Sequence, residues 1–265
     1  MLVTDDQGFL VPDSGTVHLT GVWRTLADRA TQAYQTHLGD SLHSVYVRGS
    51  AARGLAVPGL SDLDTWALVS GDLEGPLVQV PDWAEGASQA LLQGQSDCVD
   101  LELCVSPLDR VLSGRRSAHA RALLKLSAVC VWGPDLRPSL PRCRPDPSLH
   151  AAVFFLADAL ARTRQELADD DDLDGVCLWL GKTVLRSAFE LVMPLEGTWT
   201  RDLHWCWAAW ARHHPESAES LRRVAVLALT GDDRPHTVAS LLAEPAVTQV
   251  AALAAALGPP LWATD

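Results

Sequence analysis

The stretch from His43 to Ser70, HSVYVRGSAARGLAVPGLSDLDTWALVS, constrains the fold most, because a small-residue turn joins two short apolar runs and the second run carries two acids. His43 to Arg48 alternates β-branched and aromatic residues and reads as a strand. Gly49-Ser50 breaks it, and Ser61 to Val69 reads as a second strand with Asp62 and Asp64 in it. Side chains two apart on a strand share a face. Two ionised carboxylates side by side repel, so a strand holds them if a cation sits between them or if one keeps its proton; a divalent metal is the reading taken. Glycine at 49 lets backbone approach a ligand, and successive N–H groups in such a turn form a concavity that suits phosphate. A phosphate turn followed by a metal-binding Asp-x-Asp on the next strand is what Mg2+-assisted transfer from a nucleoside triphosphate needs.

Gly49-Ser50, an eleven-residue spacer and then Asp62-Leu63-Asp64-Thr65 resembles the signature of the DNA polymerase β-like nucleotidyltransferase superfamily: hydrophobic-Gly-Gly/Ser, about ten residues, then Asp-hydrophobic-Asp/Glu. The resemblance implies that Asp62 and Asp64 hold Mg2+ and that Gly49 and Ser50 hold the phosphates of ATP. It also implies a third carboxylate on a later strand, as metal ligand or as the base that deprotonates the acceptor hydroxyl. The segment Cys98 to Val105, CVDLELCV, is the slot for it, with Asp100 and Glu102 on one face alternating with Val99, Leu101 and Leu103. Asp100 is the expected third catalytic and metal-binding acid, because in streptomycin adenylyltransferase-like members the acid follows the first hydrophobic residue of that strand. Glu102 is the alternative.

Before this core, residues 17 to 38 place Leu19, Trp23, Leu26, Ala30 and Tyr34 at helical spacing, with Gly39 as a stop. After it, Trp83 to Leu92 reads as a helix closing at Gly94, and Val129 to Trp132 as a short strand completing the sheet. The intervening basic stretch, Arg110, Arg115, Arg116, Arg121 and Lys125, reads first as a solvated helix face and second as a region steering a triphosphate. Five prolines between Gly133 and Ser148 mark a linker.

Beyond that linker the pattern turns helical, over 149–168, 174–194, 200–213, 216–229 and 236–257. The acidic run Asp169 to Asp172 reads as a loop. Streptomycin adenylyltransferase-like enzymes also carry a C-terminal helical domain with a basic residue that contacts the nucleotide phosphates. That resemblance singles out Arg201, after a candidate N-cap at Thr200, and Lys182 on the preceding helix. Four tryptophans at 199, 205, 207 and 210 read as core, one or two of them as lining for an acceptor pocket.

Composition narrows the partners. A formal net charge of −12 leaves no dense basic stripe for a long nucleic-acid surface and suits a cationic small-molecule acceptor. No apolar run reaches the length of a membrane span, and the acidic N-terminus lacks the pattern of a signal peptide, so a cytoplasmic protein is expected. Six cysteines without C-x-x-C or metal-ligand spacing read as small buried hydrophobes. The expected architecture is α+β: a polymerase β-like nucleotidyltransferase domain, a mixed sheet flanked by helices, over 1–140, and an all-α bundle over 141–265. The expected activity is transfer of a nucleoside monophosphate, AMP from ATP, to a hydroxyl of a small molecule such as an aminoglycoside. Nucleotidyl transfer to a protein or RNA, as in toxin–antitoxin modifiers, and a retired nucleotide-binding scaffold are the alternatives.

Overall fold

The computed structural model describes residues 1–71, 73–114, 117–169 and 173–257; Arg115, Arg116 and the acids 170–172 lie outside them. The chain divides into two compact units, Val11–Cys143 and a second made of Met1–Leu10 with Arg144–Asp265.

In the first unit, α1 (Gly21–Leu38) buries Trp23, Leu26, Ala30 and Tyr34 along one stripe and stops where Gly39 turns to a φ of 52°. The chain then enters β1 (Leu42–Arg48), the single turn α2 (Gly49–Ala52) and β2 (Leu63–Val69). α3 (Ala84–Leu92) leads to β3 (Leu101–Pro107), and α4 (Leu108–Ser113) and α5 (Ala118–Ser127) lead to β4 (Ala128–Trp132). These strands form one four-stranded sheet in the order β3-β2-β1-β4. β1 is antiparallel to β2 and β4, whereas β2 and β3 run parallel, a pairing that needs the crossover α3 supplies.

Period-2 alternation gives each face of the sheet its own core. Val45, Val47, Leu63, Ala67, Leu101 and Leu103 pack on the side of Trp23, Leu26, Tyr34 and Ala84. Tyr46, Trp66, Leu68 and Cys104 face Val111 and Leu124 on the other. From the first side the Tyr34 hydroxyl pairs with Thr65 Oγ1 at 2.9 Å and donates to the Cys104 carbonyl at 3.1 Å, tying β2 to β3. The described cations of the basic stretch are structural. Arg110 donates to the carbonyls of Leu73 and Gly75, Arg121 to those of Val111 and Gly114, and Lys125 to that of Arg137.

The second unit consists of α6 (Ala151–Asp169), α7 (Leu173–Glu196), α8 (Leu203–His213), α9 (Ala218–Thr230), α10 (Pro235–Leu242) and α11 (Pro245–Leu257). The helix expected over 236–257 is therefore two, because Pro245 has no N–H to continue α10 and is preorganised to start α11. The first ten residues join this unit through paired backbone bonds between Leu2 and Trp199, at 2.7 and 3.1 Å. Trp199 and Trp210 are core, the latter donating to Ser217 Oγ at 3.0 Å; Trp205 is exposed. Among the described residues, no single helix is long and apolar enough to cross a membrane.

Glu190 of α7 is buried against the start of α6, whose first N–H groups lack intrahelical partners; Val153 N–H donates to its Oε2 at 3.0 Å. Burial pushes this carboxyl up to about 7, although the N–H groups of Val153, Ala152 and Ala151 and the charge of Arg201 pull it back. An unfolded glutamate ionises near 4.5, so between there and about 7 the folded chain holds a proton that the unfolded chain has lost, and stability falls as pH rises through that window. The full loss amounts to roughly 3 kcal/mol. Calorimetric melting between pH 4.5 and 8 should show this decline in the wild type and a flatter profile in Glu190→Gln; equal slopes would rule out Glu190 as its source.

Candidate active site

Where β1 ends and β2 and β3 begin, the face occupied by Tyr46, Trp66 and Cys104 turns polar. The register pairs Arg48 with Asp64 and Asp64 with Glu102, so three charged side chains form a row across three adjacent strands. The Arg48 guanidinium reaches over β2: its Nη2 donates to Glu102 Oε2 at 2.7 Å and lies 3.8 Å from Asp64 Oδ1. Its Nε is buried without a hydrogen-bond partner. Cys104 Sγ donates to the other Glu102 oxygen at 3.0 Å, and Thr65 Oγ1 donates to the Glu102 carbonyl at 2.7 Å.

Both resolutions of like-charge crowding are present at once. Burial, a hydrogen bond shared with Glu102 and the neighbouring negative charges hold the Asp64 carboxyl well above the usual carboxylate range, against the pull of Arg48. Glu102 is held below its ordinary value. Burial works the other way, but the hydrogen bond from Asp64, the Arg48 charge and the Cys104 thiol outweigh it.

The residues expected from the sequence divide into those in this row and those beside it. Asp64 is in it. Asp62 stands just before β2, exposed, and its charge adds to the pressure on Asp64. Gly49 follows Arg48 at a φ of 74°, and a Cβ there would stand 2.6 Å from Asp64 Oδ2, so glycine is required both by the backbone and by the carboxylate. Ser50 lies in the single turn that follows. Asp100 precedes β3, is exposed, and turns its Oδ1 to the N–H of the next residue, Leu101, at 2.8 Å. The acid beside Asp64 is Glu102. Lys182 and Arg201 belong to the helical unit: Lys182 is half-buried on α7, and Arg201 precedes α8, which starts at Leu203 rather than at Thr200. The charge of Arg201 acts on buried Glu190.

Arg48 is the member that motif reading passes over. An arginine closing a strand has the sequence signature of a surface residue, and only the pairing register reveals two acids within its reach.

Among the described residues, no three His, Cys, Asp or Glu side chains are grouped as a metal cluster. The donor chemistry nonetheless fits Mg2+, which takes hard carboxylate oxygens, usually one or two per ion. Asp62 and Asp64 supply such oxygens, and the glycine at 49 keeps a Cβ from crowding Asp64 Oδ2.

No family model matches the chain, and neither does any curated protein. Among solved structures it is similar to spectinomycin adenyltransferase AAD(9) from Enterococcus faecialis, a structure with ATP and spectinomycin. The TM-score is 0.53 at 13% identity, over 88% of this chain and 99% of that one. At that identity the likeness is one of fold, and the fold of this chain, a mixed sheet with flanking helices plus an all-helical region, is the α+β fold of that nucleotidyltransferase.

Proposed function

We propose that the chain is a Mg2+-dependent nucleotidyltransferase that moves AMP from ATP to a hydroxyl group of a small, cationic acceptor such as an aminoglycoside. The observation that carries this reading is the in-register row Arg48–Asp64–Glu102 directly behind the glycine turn at 49. The fold shared with an adenyltransferase solved with ATP and spectinomycin supports it.

Gly49 and Ser50 form the turn for the phosphates, and Asp62 and Asp64 would hold the Mg2+. The bound ion would neutralise charge on the triphosphate and its leaving group. Glu102 takes the third-acid position in place of Asp100, because it is the acid beside Asp64. Its carboxylate accepts the proton of the acceptor hydroxyl as that oxygen bonds to the α-phosphorus. The bond from the α-phosphorus to the β-phosphate oxygen breaks, and pyrophosphate leaves. Lys182 and Arg201 are the helical unit's proposed phosphate contacts, on the strength of the resemblance.

Pyrophosphate release with Mg2+, each of the four nucleoside triphosphates and a panel of aminoglycosides tests the reading. ATP with at least one acceptor should release pyrophosphate and yield an acceptor heavier by one AMP. No thermal stabilisation by any nucleotide, and no release with any acceptor, would refute it.

A further inference from the structure

We infer that Arg48 is the resident cation of the acidic row, and that a divalent ion binds Asp64 by displacing its guanidinium toward the triphosphate, which also releases Glu102 to act as the base. The inference rests on the proposed function, which puts Mg2+ on Asp62 and Asp64 and makes Glu102 the base. Three features of the row support it.

First, the guanidinium stands beside the acid an ion would bind. Arg48 Nη2 is 2.7 Å from Glu102 Oε2 and 3.8 Å from Asp64 Oδ1, within reach of both acids. A Mg2+ ion on Asp64 sits about 2.0–2.1 Å from its oxygen, inside the distance at which the guanidinium stands. Guanidinium and metal ion also repel at that range, and half-burial of all three side chains limits screening by water.

Second, the resting pose leaves Arg48 incompletely paired. Its Nε is buried with no acceptor, although burying a donor unpaired is costly. A guanidinium presents a fork of donors that matches the oxygens of a phosphate, and that pairing would use the donor idle here.

Third, Arg48 immediately precedes the Gly49-Ser50 turn, so a guanidinium leaving the carboxylates starts one residue from the proposed phosphate position. Metal and nucleotide would then bind cooperatively: the ion releases the arginine, and the triphosphate receives it. By linkage each ligand tightens the other.

Electron paramagnetic resonance titration with Mn2+, with and without a non-hydrolysable ATP analogue, tests this. In the nucleotide-free chain, Arg48→Met should bind Mn2+ about tenfold or more tightly than wild type, a difference of about 1.4 kcal/mol. The enhancement of Mn2+ binding by the analogue should shrink by a similar factor. Arg48→Lys, which keeps a cation, should bind close to wild type, and Asp64→Asn added to Arg48→Met should erase the gain. A merely structural role for Arg48 predicts weaker binding on its removal, not tighter. Should Arg48→Met lose its circular dichroism signal, Arg48→Gln carries the same expectation.

Equal or weaker Mn2+ binding in the folded neutral variant overturns the inference, as does a gain that survives Asp64→Asn. Nucleotide transfer is scored separately. AMP transfer with Mn2+ affinity indifferent to residue 48 would keep the proposed function and reject this inference. Tightened Mn2+ binding in a chain that transfers no nucleotide would do the reverse.

Discussion

Glu102→Gln is expected to cut turnover by about 100- to 10,000-fold, the usual range for loss of a general base, while leaving nucleotide affinity within a few-fold. Asp100→Asn is expected to stay within a few-fold of wild type in both. The contrast rests on placement, since Glu102 pairs in register with Asp64, whereas Asp100 is exposed before β3 and bonded to its neighbour's backbone. Single-turnover kinetics at saturating ATP separate the chemical step from binding. If Asp100→Asn is the inactive variant, the proton leaves through the exposed acid, and the Arg48–Glu102 pair serves only to hold the strands together.

Asp64→Asn should cost at least about 100- to 1,000-fold in turnover, the scale on which removing one preorganised electrostatic group acts. The same change puts an amide, still able to donate to Glu102, in place of the carboxyl that shares its hydrogen bond. The Arg48–Glu102 ion pair would persist, and the chain should remain folded. Parallel measurement of melting temperature and turnover distinguishes a functional loss from a structural one: a variant that melts far below wild type would place Asp64 in the fold rather than in the chemistry.

The local pattern around this site was legible from the residues alone. The alternation in residues 43–48 and 61–69, the glycine at 49 and the acids at 62 and 64 all report on nearest neighbours, the range over which sequence periodicity acts. The helical stripe Trp23, Leu26, Ala30 and Tyr34, and the β4 strand, were readable for the same reason.

What pattern could not supply was register across strands. Whether Asp100 or Glu102 stands beside Asp64 depends on where β3 begins, and sliding the strand by two residues exchanges them without altering its hydrophobic face. The three-strand reach of Arg48 depends on the same register. The pairing of Leu2 with Trp199 joins residues nearly two hundred positions apart, so nothing local announced that the first ten residues go with the helical unit. The break between α10 and α11, by contrast, has a visible cause in Pro245, although apolar periodicity runs on both sides of it.

Isothermal calorimetry of Mg2+–ATP binding tests the central claim most directly, because it asks whether this carboxylate row handles a metal-bound triphosphate before any acceptor is known. The wild-type chain should bind Mg2+–ATP with measurable heat, and Asp62→Asn and Asp64→Asn should each abolish that binding while staying folded. Equal affinity in the wild type and both variants would make the Asp-x-Asp pair structural and contradict the account.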